Sequence, residues 1–158
     1  MNNIGRHPLI RMLRALDLPT ADYVVFGSGP LLAHGLRTQL GDLDVVARGA
    51  AWDRLAAMSR PVQAPSGHGR MVRLQIEAAD RWLPGWDTDH LIGSAEWHAG
   101  IPFAPLAEVR RSKLATARPK DWPDLALIDS VLPTTCPRGS TDDQQRLPAR
   151  RRRAHDRW

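Results

Sequence analysis

DYVVFGSGPLLAHGLR (22–37), followed shortly by GDLDVVA (41–47), decides how this chain is read. Residues 22–27 are a short bulky, β-branched run, which predicts a buried strand entering a glycine turn. Ser28-Gly29-Pro30 makes the turn, and 31–37 resumes as a helix with Pro30 suited to its first turn. Residues 41–47 predict a second strand. A period of two puts Asp42 and Asp44 on one face and Leu43 and Val45 on the other.

Each half of this stretch has a chemical reading. A strand, a Gly-Ser-Gly turn and a helix form an anion cradle, because glycine lets backbone N–H groups approach a ligand and the Ser28 hydroxyl adds a hydrogen bond. The competing reading is an ordinary tight turn. Carboxylates at i and i+2 repel each other unless a cation sits between them, and Mg²⁺ takes oxygen ligands while bridging to phosphates. The competing reading is an exposed polar strand face, although aspartate is unfavourable in strands and is used here twice.

Outward from this stretch, 8–17 carries Leu9, Met12, Leu13 and Leu16 at helical spacing, and Pro19 ends that helix. Residues 51–60 predict a helix closed by Pro61. Residues 71–78 alternate and predict a third strand, with Val72, Leu74 and Ile76 on one face and Arg73, Gln75 and Glu77 on the other. Residues 82–105 are rich in Trp, Gly and Pro and read as irregular, with room for one short strand. Residues 106–117 predict a helix carrying Lys113. Residues 121–132 predict a last helix, with Asp121 as a candidate N-cap before Pro123. The order predicts an α+β domain over 1–135, a small mixed sheet flanked by helices.

The 158 residues are 42% hydrophobic and 25% charged, globular values that exclude a wholly disordered or fibrous chain. The net charge of +5 is concentrated at one end. Residues 138–158 hold seven arginines and three aspartates, so fifteen basic and fourteen acidic residues in the body leave only +1. Residues 136–158 therefore read as a basic, disordered tail: a solvated extension, or an arm that neutralises nucleic-acid phosphates. Cys136 stands alone, which excludes an internal disulfide framework. Arg11 and Arg14 interrupt any secretory apolar run, and no stretch is long enough to span a bilayer, so a cytoplasmic protein without membrane partners is expected.

Taken together, Phe26-Gly27-Ser28 and Asp42-Leu43-Asp44-Val45 resemble the nucleotidyltransferase superfamily of the DNA polymerase β-like fold, where an hG[GS] turn precedes [DE]h[DE]h. RRSKLATARPKDWPDLALID (110–129) resembles the C-terminal part of AbiEii-like and MenT-like toxin nucleotidyltransferases, with Lys113, Arg118, Lys120, Asp121 and Asp124 at the matching positions. The likeness spans roughly 23–130; Pro30, which lacks an N–H, departs from the usual turn. The resemblance implies a nucleotidyltransferase fold and transfer of NMP from an NTP such as ATP or CTP to a hydroxyl acceptor. It implies Mg²⁺, or Mn²⁺, on Asp42, Asp44 and a third carboxylate, for which Glu77 is the best placed. It further implies catalytic roles for Asp42, Asp44, Lys113 and Asp121, and nucleotide contacts from Gly27, Ser28, Gly29 and Arg118. The partners implied are tRNA as acceptor and a cognate antitoxin. The rival expectations are transfer to a protein or to a small molecule of the aminoglycoside kind, and an inert nucleotide- or RNA-binding module.

Other residues read as structural. His34 reads as a packing or helix-surface histidine. Asp121 is split between a helix cap and a contact to Lys113 or Arg118, and Asp124 between its place in the matching stretch and a solvent-facing position. Trp82, Trp86 and Trp97 could stack a base, but read more readily as packing the irregular segment onto the core. His68 and His90 lack metal-ligand spacing.

Overall fold

The computed structural model describes residues 4–133; the basic tail expected at 136–158 lies outside the described residues. In chain order the elements are α1 (Pro8–Ala15), β1 (Tyr23–Phe26), α2 (Gly29–Ala33), β2 (Asp44–Ala47), α3 (Gly49–Met58), β3 (Val62–Gln63), β4 (Arg70–Arg73) and β5 (Glu77–Ala79). They continue with α4 (Thr88–Gly93), β6 (Glu96–His98), β7 (Ile101–Phe103), α5 (Leu106–Thr116) and α6 (Trp122–Asp129). The strands form one mixed sheet in the order β3-β4-β5-β2-β1-β7-β6, flanked by helices.

All four residues of β1 are buried, which explains a run without polar alternation: both faces of the strand are covered. Tyr23 and Val25 join the cluster built with α1 and α3, around Ile10, Leu13, Trp52 and Leu55. Val24 and Phe26 join the opposite cluster, with Leu31, Leu91, Val109 and Ile128. β2 runs antiparallel to β1, opposing Asp44 to Phe26, and parallel to β5, opposing Asp44 to Glu77 and Val45 to Ala78. Val45 and Ala78 pack with the α1–α3 cluster, so Asp44 and Glu77, one residue away in each strand, project toward the α5–α6 side.

Several expectations are corrected. The single strand at 71–78 is two: β4 and β5 pair antiparallel, Arg73 opposite Glu77, and the Leu74 N–H donates to the Ile76 carbonyl in the turn between them. Residues 82–105 contain α4 and the β6–β7 hairpin rather than mostly loop. β2 begins at Asp44, so Asp42 stands in the approach to the strand. Trp97 is 59% exposed and packs no core, whereas Trp82 and Trp86 lie against the α5–α6 cluster. No helix among the described residues is long and apolar enough to cross a membrane.

Candidate functional site

β1 delivers Gly27 and Ser28 to the end of the sheet where β2 begins. Gly27 sits at φ +60°, a left-handed conformation that glycine adopts without penalty. A Cβ there would fall on the Asp44 carboxylate, so the turn and the acidic residue need each other's shape. Gly29 serves packing instead. It is buried, and a Cβ would collide with the Val25 side chain. It does not itself line the cavity in front of this turn.

A cavity of about 460 Å³ opens in front of this turn. Gly27, Ser28, Asp42, Asp44 and Glu77 line the sheet side, and Lys113, Arg118, Asp121 and Asp124 the helix side. The residues singled out in the sequence thus meet in one place, apart from Gly29.

Asp42, Asp44 and Glu77 make an acidic wall. The Leu43 carbonyl accepts the Glu77 N–H at 2.9 Å, locking the register that sets Glu77 beside Asp44. Burial pushes the Asp44 carboxyl up to about 6, and the neighbouring charges of Asp42 and Glu77 add to that. Lys113 and Arg118 pull the other way without touching it. Among the described residues Glu77 has one loose ion-pair partner, Arg73 at 3.7 Å.

The helix side is basic and paired. Val109, Ser112 and Lys113 share the inward face of α5 by helical spacing. Ala117, at φ +48°, ends α5 and turns the chain so that the 3₁₀ turn Pro119–Asp121 folds back onto it. Lys113 Nζ then lies 3.0 Å from Asp121 Oδ1, 2.9 Å from Asp124 Oδ2 and 3.4 Å from Ser28 Oγ. All three of its donors are engaged. Arg118 Nε donates to Asp121 Oδ2 at 2.7 Å, and Arg37 Nε to Asp124 Oδ1 at 2.6 Å. The Ser28 hydroxyl donates to Asp124 Oδ2 at 2.9 Å. Burial presses both carboxyls upward, yet these donors outweigh it and hold Asp121 and Asp124 below the ordinary range.

Of the two readings of Asp121, the contact to Lys113 and Arg118 is the one present: its side chain does not cap α6, and its carboxylate is spent on those two cations. Asp124 does not face solvent but is 2% exposed. Its burial follows from Arg37 and Ser28, partners far away in sequence that no local pattern around α6 announces. Trp82 also lines the cavity, as do Arg37 and Arg81, which no motif in the sequence singles out. Trp82 packs its ring 4.5 Å from that of Phe26 and donates from Nε1 to Ser112 Oγ at 2.6 Å.

The acidic wall fits a hard divalent ion. Its donors are all oxygens, and Asp44 has no cation within hydrogen-bond reach among the described residues while like charges flank it. In comparisons with known proteins, the chain matches no family model, no curated protein and no solved structure.

Proposed function

We propose that the protein is a divalent-metal-dependent nucleotidyltransferase. An acceptor hydroxyl attacks the α-phosphorus of an NTP, the bond to the bridging oxygen breaks, and pyrophosphate leaves. The observation that carries this reading is the trio Asp42, Asp44 and Glu77, gathered against the Gly27–Ser28 turn on one cavity wall and without tight cationic partners among the described residues. Mg²⁺ or Mn²⁺ held by the trio would supply Lewis-acid polarisation of the phosphates. A carboxylate of the same wall takes the acceptor's proton. Gly27 offers a backbone close enough to receive the triphosphate. Lys113 and Arg118 offset phosphate charge from the opposite wall, Lys113 through its longest contact, the one to Ser28.

The cavity's further cations, Arg37, Arg81 and Lys120, suit an anionic acceptor. The choice of tRNA, and of a toxin countered by an antitoxin, rests on the likeness of 110–129 to toxin nucleotidyltransferases.

The test is transfer of label from [α-³²P]NTP. Offered total tRNA, protein and aminoglycosides in parallel, the wild-type chain labels tRNA, and the double variant Asp42→Ala with Asp44→Ala labels nothing. Labelling that survives in that variant overturns the assignment, and labelling of another acceptor moves the substrate. A melting shift with Mg²⁺ and NTP is a second readout. Ligand at 100 times its Kd adds about 2.7 kcal/mol. No shift with any NTP, together with no transfer, leaves a silent module.

A further inference from the structure

α2 carries Ser28 at its N-cap and His34 at its C-cap, so the histidine lies at the far end of the helix from the cavity turn. The His34 imidazole meets Glu96 and His98 there. Glu96 and His98 are two apart on β6, which puts them on the same face of this edge strand, with the exposed Trp97 between them on the other. His34 Nε2 lies 3.0 Å from Glu96 Oε2, and His98 Nε2 lies 3.8 Å from that same oxygen. One donor atom from each of the three falls within 4.8 Å of the others.

Packing holds the rings in place. The His34 and His98 centroids are 4.9 Å apart edge-on, and His98 stands edge-on to Phe103 at 5.8 Å. Phe103 is fully buried in β7, opposite Glu96, so one ring of the cluster rests on the core. The side chains of His34, Glu96 and His98 are 30%, 45% and 29% exposed. Solvent therefore reaches the cluster from outside.

We infer that His34, Glu96 and His98 bind a divalent transition-metal ion, zinc by ligand chemistry, with water completing the coordination. Two imidazoles and one carboxylate form a borderline set that suits zinc and disfavours magnesium, which takes oxygen donors. Tetrahedral bonds of 2.0–2.1 Å place ligand atoms about 3.4 Å apart, and the two measured separations bracket that spacing. The ion replaces a contact in which two imidazoles share one carboxylate oxygen, and it ties the edge strand β6 to the end of α2. This site stands apart from the acidic wall and does not depend on the transfer reaction.

The test is titration of the chelator-treated full chain with Co²⁺ in excess Mg²⁺, which occupies the acidic wall. The expected result is a visible d–d absorption that saturates at one equivalent and is displaced by Zn²⁺. His34→Ala, His98→Ala and Glu96→Gln each weaken zinc binding by more than about 100-fold. Circular dichroism shows the variants folded, since all three side chains are partly exposed. Zinc raises the melting temperature of the wild-type chain but not of His98→Ala. A chain carrying Cys136→Ser and His155→Ala keeps the absorption. The inference is overturned by any of three results: no absorption in the wild-type chain, binding unchanged in the three ligand variants, or binding lost with Cys136 and His155.

Discussion

Asp44 and Asp124 face one cavity from opposite walls, and burial presses both carboxyls toward protonation. Asp124 resists, because Lys113, Ser28 and Arg37 all donate to it. Asp44 yields to about 6, because its nearest charged neighbours are acidic. The contrast separates two uses of buried charge. On the helix side each carboxylate is matched inside the protein and acts as scaffold. On the sheet side the carboxylates have no such match among the described residues, which is what the proposed metal site rests on.

The largest expected effect breaks the paired wall. Lys113→Met leaves Asp121 and Asp124 short of a partner in a buried setting, and removing one member of such a pair costs about 3–5 kcal/mol. Denaturant unfolding measures it, and a loss below about 1 kcal/mol would show that Arg37 and Arg118 suffice alone.

The next acts on the unpaired wall with the opposite sign. An acid whose folded pKa is raised holds its proton to higher pH when folded, so its contribution to stability falls as pH climbs from about 4 to about 6. For Asp44 this loss reaches about 3 kcal/mol, at 1.36 kcal/mol per pKa unit. Asp44→Asn is therefore expected to raise stability at pH 7 by up to that amount, with the gain vanishing at pH 4, while label transfer disappears. Asp121 and Asp124 are lowered, so their stabilisation is complete above about pH 4 and is lost only below it. Mg²⁺ is expected to stabilise the wild-type chain at pH 7 but not Asp44→Asn, as read by melting temperature.

Gly27→Ala tests how closely the turn and the acidic wall fit. The left-handed backbone alone costs a side chain about 1–2 kcal/mol, and collision with Asp44 adds to that. In an Asp44→Ala background the collision part is expected to disappear, making the pair non-additive in a double-mutant cycle.

The smallest effect belongs to the helix side. Ala117 holds a left-handed φ where α5 turns back, and Ala117→Gly is expected to add about 0.5–1 kcal/mol by relieving it. Unchanged stability would mean that the turn is free of strain.

Much of the cavity was legible in the sequence because its signals are local. Tyr23–Phe26 is apolar on both faces because both faces are covered. Gly27-Ser28 and Asp42-Leu43-Asp44 lie at the adjoining ends of β1 and β2, successive strands that pair directly. The polar face that carries Glu77 is legible even though the single strand is two. Leu74 and Ile76 keep packing on the same side as Val72 across the β4–β5 turn, so the alternation runs through a reversal of the chain. The β6–β7 hairpin was hidden for a different reason. Its strands have three residues each, Pro102 sits in one of them, and the loop asks for positive φ at both Ala99 and Gly100, of which only the second announces itself. With that hairpin unseen, His34 had no visible neighbours. The burial of Asp124 is not legible around α6, because its partners Ser28 and Arg37 arrive from near the start of the fold.

The parallel register of β2 and β5 ties Asp44 to Glu77 across an excursion from Arg48 to Ile76 that includes α3, β3 and β4. That excursion returns to the same ladder whatever its length, so insertions in its exposed turns leave the acidic trio intact. A single-residue deletion inside Glu77–Ala79 is another matter. It preserves the ladder's hydrogen bonds but sends the carboxylate into the oily layer beneath the sheet, where Ala78 now sits. Tolerance to length change should therefore drop to nothing within three residues of a segment that otherwise accepts it freely.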